Sequence, residues 1–235
     1  MIKSYFLIVL VVLSLCACKK EIVRENKPAV QTSSISQLGK SDIDNVLDVH
    51  VRESQALLKE LMLKLYKRNP RELAKSELKL PEEHVVRLFD LKHDWNFNEL
   101  HDKHGVDAIK LTFDQDYEGD RIFAFIAGLL GMIMKSYDYQ SDFYIFDTVK
   151  PQKLYNCARN IEIAVWKLSN SLMENGEPYL YTNSLSDESV NLSYERLFGK
   201  LIATQDNIST IISGKKNRTV KTVIQRMATA VFLPI

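Results

Sequence analysis

From Asp42 onward, apolar residues return every third or fourth position: Ile43, Val46, Leu47, Val51, Leu57, Leu58, Leu61 and Leu65. That spacing predicts an amphipathic helix running to about Arg68, with Ser41 placed as its N-cap. Asn69-Pro70 opens a short helix through Glu77, and Pro81-Glu82-Glu83 starts a third that carries Val85, Leu88 and Phe89. The pattern then weakens. Between His93 and Asp120, Ile109, Leu111 and Phe113 alternate with polar residues, but one such run has no partner. At most a short extended segment near 109–113 is expected. Ile122 to Met134 follows, thirteen residues without one polar side chain, about 20 Å of helix. It is too short to cross a bilayer and apolar on every face, so it belongs at the middle of a bundle. Gly128 and Gly131 within it mark places where a neighbouring helix packs close.

Pro151 opens a helix with Leu154, Tyr155, Ala158, Ile161, Val165 and Leu168 on one face. Asn191 to Ser213 forms another with Leu197, Leu201, Ile208, Ile211 and Ile212, and Gly214 stands where a C′ residue would end it. A last helix begins at Asn217 with Val220, Val223, Ile224, Met227 and Val231. Between the first two lies a polar loop, 174–189, with Asn175-Gly176 as a turn and Tyr179, Leu180 and Tyr181 as an apolar knot. The fold class is therefore all-α: a bundle of about six helices around the apolar helix near 120–136.

Composition supports this and removes alternatives. With 8 glycines and 6 prolines in 235 residues, a turn-dense β architecture is a poor fit. Hydrophobic residues at 46% and charged ones at 26% are ordinary globular usage, which excludes wholesale disorder. Lys and Arg total 31 against 30 Asp and Glu, so the chain has no electrostatic footprint for nucleic acid.

The N-terminus is an address. Lys3 supplies a positive n-region, and Tyr5 to Leu15 is apolar apart from Ser14, the form of an export signal. It ends Leu15-Cys16-Ala17-Cys18, which resembles the lipobox of bacterial lipoproteins: an aliphatic residue at −3, a small one at −1, then the lipidated cysteine. Cys18 fits better than Cys16, which would put bulky Leu15 at the cleavage position. The resemblance implies a signal peptide over 1–17, acylation at Cys18 with palmitate among the chains, and attachment to a membrane. Lys19-Lys20 stand where an aspartate would retain such a protein in the inner membrane, so it further implies the outer membrane of a Gram-negative cell, facing the periplasm. Residues 18–41 then form a lipid-anchored flexible tether, about 25–30 Å end to end on average, and 42–235 a single helical domain. Cys157 remains as a lone thiol beside Leu154, Ala158 and Ile161, where cysteine behaves as a small buried hydrophobe.

Three constellations could carry chemistry. Asp114-x-Asp116-x-Glu118-Gly119-Asp120 has the first half of an EF-hand loop, but its twelfth position is Phe125. Only a looser oxygen-ligand calcium site survives beside the simpler reading, in which Asp116 or Asp120 caps the next helix. His93, His101 and His104 lie within fifteen residues that also hold Asp90, Asp94, Glu99 and Asp102, and His101 and His104 at i, i+3 could bind zinc with His93 folded back. Against it stands a solvated polar loop, pinned to the core by Trp95 and Phe97. Third, Asn156, Arg159, Asn160 and Glu162 face Glu195, Arg196 and Lys200 from the next helix, read as a solvated face with ion pairs in preference to a buried network. No nucleophile elbow, phosphate loop or Ser-x-x-Lys pair occurs, so catalysis has no motif behind it. The expectation is a non-catalytic, outer-membrane-anchored helical protein that binds another envelope component, an envelope protein in the first instance. The alternative is a metal-dependent or small-molecule-binding activity in the loop 90–120.

Overall fold

Why the 120–136 helix sits at the centre follows from its composition. In the computed structural model, which describes residues 40–144, 147–182, 188, 191–215 and 231–235, Arg121–Ser136 is one helix in which every residue except Lys135 is buried. A helix apolar on all sides can satisfy all of them only by being surrounded. The described residues contain seven α-helices: α1 (Asp42–Arg68), α2 (Pro70–Leu73), α3 (Pro81–Val85), α4 (Val106–Leu111), α5 (Arg121–Ser136), α6 (Pro151–Asn170) and α7 (Ser193–Lys215). A π-helical turn, Val86–Asp90, continues α3, and a 3₁₀ turn spans Asn98–Leu100. α1, α4 and α6 pack on α5, and α7 closes the bundle against α1 and α6. There is no β-strand among the described residues, only an isolated antiparallel bridge between Leu172 and Pro178. No described helix is long and apolar enough to cross a membrane.

α1 has the bounds its periodicity predicts, and Asp44 at its third position accepts hydrogen bonds from the Ser41 N–H and hydroxyl, both at 2.7 Å. This is the reciprocal capping arrangement that fixes a helix start. The close packing expected at Gly128 is literal. A Cβ there would lie 2.7 Å from the Ile109 backbone nitrogen, so α4 rests directly on the glycine. Cys157 is fully buried in α6, where burial pushes its thiol up to about 12. Tyr179 and Leu180 are buried, with Tyr179 edge-on to Phe113.

Several expectations are corrected. The segment allowed a short extended piece is helical: Ala108, Ile109 and Leu111 are all buried in α4, and alternation over five residues cannot be told from a short helix with two covered sides. The helix at Pro70 stops at Leu73 and does not reach Glu77. α7 continues through Gly214, and Ile211 is exposed. The signal segment, Cys18, the tether up to residue 39 and the helix begun at Asn217 lie outside the described residues, and Val231, placed on that helix by its spacing, is non-helical.

Candidate functional site

A buried α-helix start poses an electrostatic problem, because its first four N–H groups have no partner within the helix. α5 solves it with two carboxylates brought from different parts of the chain. Asp120, its N-cap, accepts through Oδ1 from Ile122 N–H at 2.9 Å and Phe123 N–H at 3.1 Å, and its carbonyl accepts from Ala124 N–H at 3.0 Å. Glu72 of α2, only 2% exposed, accepts the remaining Arg121 N–H at 3.0 Å and the Lys75 ammonium at 2.8 Å. The N–H groups of the first three helical residues are thus satisfied.

The outer oxygen of Asp120 does something else. Its Oδ2 accepts the Tyr66 hydroxyl at 2.5 Å and lies 4.0 Å from Nδ1 of His84. The His84 ring stacks on Tyr66 at 4.7 Å between centroids and is 1% exposed; the Leu78 backbone is within its reach, yet neither nitrogen makes a hydrogen bond of full geometry within the described residues. Burial pushes the Asp120 carboxyl up to about 6, against the pull of the Tyr66 hydrogen bond and the two helix N–H groups. Burial also holds the His84 imidazole below its ordinary value; the nearby Leu78 backbone pulls the other way and the Arg87 charge adds to the lowering. The Tyr66 phenol is raised far out of range by burial and the Asp120 charge, so it stays a donor.

A cavity of about 530 Å³ opens onto this cluster. His84, Asp120 and Phe123 form part of its wall, with Lys75, Arg87 and Glu99 around them. The Arg87 guanidinium lies over the Phe123 ring at 4.8 Å and pairs with Glu99 at 2.5 Å. Every other fixed charge named here is matched inside the protein: Lys75 by Glu72, and Asp120 by Tyr66 and the helix start. What is left over is His84, an imidazole able to give one hydrogen bond and take one. Gly119 keeps the rim tight, since a Cβ there would meet the Tyr117 hydroxyl at 2.4 Å.

The residues singled out as metal ligands are not brought together. His93 spends Nε2 on the Leu88 carbonyl at 2.9 Å and stacks between Trp95 and Phe97. The Nδ1 of His104 binds the Trp95 carbonyl at 2.8 Å, and His101 rests its edge on Tyr117 at 5.9 Å from an exposed, left-handed position. Asp114 accepts the Asp116 N–H at 3.1 Å in a local turn, while Asp116 and Glu118 point to solvent. No group of three or more His, Cys, Asp or Glu among the described residues could hold a metal ion. Of the acidic run only Asp120 is functional in shape, as the cap. The polar stretch of α6 also departs from expectation: Asn156 and Asn160 are buried, whereas Arg159 pairs with Asp206 and Glu162.

Tyr66, Glu72 and His84 were not distinguishable in the sequence as site residues. The one available signal was Tyr66, a phenol inside the apolar face of α1, which needs a polar partner when buried. Compared with protein-family models, curated proteins and solved structures, the chain matches none.

Proposed function

We propose that this chain is a lipid-anchored envelope protein whose helical domain binds, without catalysis, a small envelope component in the His84 cavity. The observation that carries the reading is a single side chain. A buried imidazole whose nitrogens lack a well-formed hydrogen bond costs on the order of 1–3 kcal/mol, a penalty removed when a bound molecule supplies a better partner. Lys75, Arg87, Glu99 and Asp120 are already paired and the Glu77 carboxylate on the wall repels anions, which favours a ligand without negative charge, one that offers hydroxyl or amide groups to His84 and an apolar edge to Phe123. A volume of about 530 Å³ suits a molecule of drug size. Among the described residues no serine, cysteine or lysine is hydrogen-bonded to Asp120 or His84, so the geometry lends nucleophilic chemistry no support. The resemblance of residues 15–18 to a lipobox supports acylation at Cys18, and Lys19-Lys20 support an outer-membrane, periplasm-facing location. The tether of 18–41 then holds the site in reach of envelope components.

Native purification followed by mass spectrometry of small molecules released on denaturation tests the binding. A neutral, polar compound is expected with the parent and not with His84→Leu, at unchanged helical circular dichroism. If a panel of neutral sugars and peptide amides raises the melting temperature of both proteins equally, the cavity is not the site. The anchor is tested apart from it: Cys18→Ala should stay at precursor size and lose palmitate labelling, and labelling that persists there but vanishes in Cys16→Ala would move the modification to the other cysteine.

A further inference from the structure

The 231–235 segment is held against α6 by hydrogen bonds to its backbone. Asn160, fully buried, reads the Leu233 backbone from both sides: its Nδ2 donates to the Leu233 carbonyl at 2.9 Å, and its Oδ1 accepts the Leu233 N–H at 2.6 Å. Asn156 adds a bond from Nδ2 to the Pro234 carbonyl at 2.8 Å, its amide held in that orientation by Gln152, whose Nε2 donates to Asn156 Oδ1 at 2.8 Å. All three bonds go to backbone atoms of the segment, and none goes to a side chain. Such readout accepts any extended peptide in this register, with apolar side chains at the positions of Phe232 and Ile235 supplying preference.

An internal control exists in the same molecule. Asn69 grips the Tyr181 backbone by the same two-sided pairing, at 2.7 and 2.8 Å. There the gripped chain is part of the core, with Tyr179 and Leu180 4% and 1% exposed. In the 231–235 segment no residue is buried: Val231 is 73% exposed, Phe232 and Ile235 only half-covered. A cavity of about 620 Å³, whose wall includes neither Asn156 nor Asn160, lies between the segment and Val106, Met132, Tyr139 and Lys167. A strap whose only role was to seal the core would be expected to fill that space and bury its side chains.

We propose that the Asn156–Asn160 face of α6 is a peptide-binding groove which the chain's own 231–235 segment occupies as a replaceable ligand. The partner it fits is an extended apolar segment of another protein, with a proline after the residue gripped by Asn160 and large side chains flanking the pair. Proline is admitted because only its carbonyl is used. Displacement of the chain's own segment couples binding to its release. The groove is separate from the His84 cavity, and neither reading depends on the other.

The test uses the full chain and a fluorescent, acetylated and amidated peptide of sequence 231–235. The double variant Phe232→Asp/Ile235→Asp, which loosens the resident segment, should bind the peptide at least tenfold more tightly than the parent. Adding Asn160→Ala to that background should cost tenfold or more, as should N-methylation of the peptide at the Leu233 position, while Asn69→Ala leaves peptide affinity unchanged. The proposal is overturned if neither protein binds the peptide by 1 mM, or if binding ignores the N-methyl group. It is equally overturned if the double variant loses helical signal, for then the segment is part of the core, or if the parent forms dimers that exchange the segment between copies and binds no added peptide.

Discussion

Two regions rich in titratable side chains behave oppositely in this chain. The run from His93 to Glu118 holds most of the histidines and a dense set of acids, and its side chains disperse: His93 and His104 turn to backbone carbonyls, and Asp114 to a local turn. The start of α5 draws single residues from positions 66, 72, 84 and 120, and places them around one cavity. Density in sequence leaves solvated groups that water already satisfies. Convergence in space takes groups out of water and forces them to find one another, which is what shifts their proton affinities and leaves His84 unsatisfied.

The most drastic way to break this comparison is to attack the helix that makes the second region buried. Leu129 is fully buried in α5. Leu129→Asp should unfold the domain, at a cost above about 4 kcal/mol, even in a chain expressed without residues 1–17 and free of membranes. Circular dichroism and urea denaturation check this; a mutant that melts like its parent and only changes membrane association would make the helix a lipid-contacting element.

Next in size is the cap. Asp120→Ala removes the acceptor for two helix N–H groups and for the Tyr66 hydroxyl, so about 2–3 kcal/mol of stability should go, most of it recovered by Asp120→Asn, which caps nearly as well. Equal losses for Ala and Asn in denaturant titrations would mean that the charge, and not the capping geometry, matters.

The pH dependence separates the two buried groups. Asp120, raised from 3.8 to about 6 in the fold, binds its proton more tightly folded than unfolded, so its contribution to stability is full below 3.8 and is lost as pH rises through 6. His84, lowered below 6.5, contributes stability above 6.5 that is lost as pH falls beneath it. Relative to the parent, Asp120→Asn should therefore gain as pH rises from 4 to 7, by on the order of 3 kcal/mol. His84→Leu should gain relative to the parent as pH falls over the same span. Melting curves across that range decide it, and slopes of the same sign would show that the two groups do not titrate as separate buried sites.

How much of this was legible beforehand differs by level. The helices were readable because burial imposes a period: α1 and the all-apolar α5 announce themselves in spacing and in the absence of polar residues. The short pieces were not, since Ile109, Leu111 and Phe113 are too few to distinguish two periods, and Gly214 can stop a helix without being obliged to. Asp120 was readable as a cap because capping is local. His84 was not, because its environment is made by Tyr66, eighteen positions earlier, and Asp120, thirty-six later, and nothing in Pro81-Glu82-Glu83-His84 distinguishes a buried imidazole from a solvated one.

The smallest expected effect tests the other half of the comparison. His101 is exposed with its ring against Tyr117, and Asp116 is exposed with its backbone N–H engaged by Asp114. Removing an exposed side chain without a buried partner normally changes stability by less than about 0.5 kcal/mol. His101→Ala and Asp116→Ala should each fall within that band, and neither zinc nor calcium should raise the melting temperature of the parent, because a metal held by the fold must stabilise it. His101 has one feature that pushes further. It sits at φ 51°, in the left-handed region that disfavours residues with a side chain, so His101→Gly should relieve strain and come out slightly more stable than His101→Ala. A difference between Gly and Ala larger than that between His and Ala would assign this position to the backbone. A zinc-dependent rise confined to the parent would return the histidine to chemistry, and with it the crowded loop as a site.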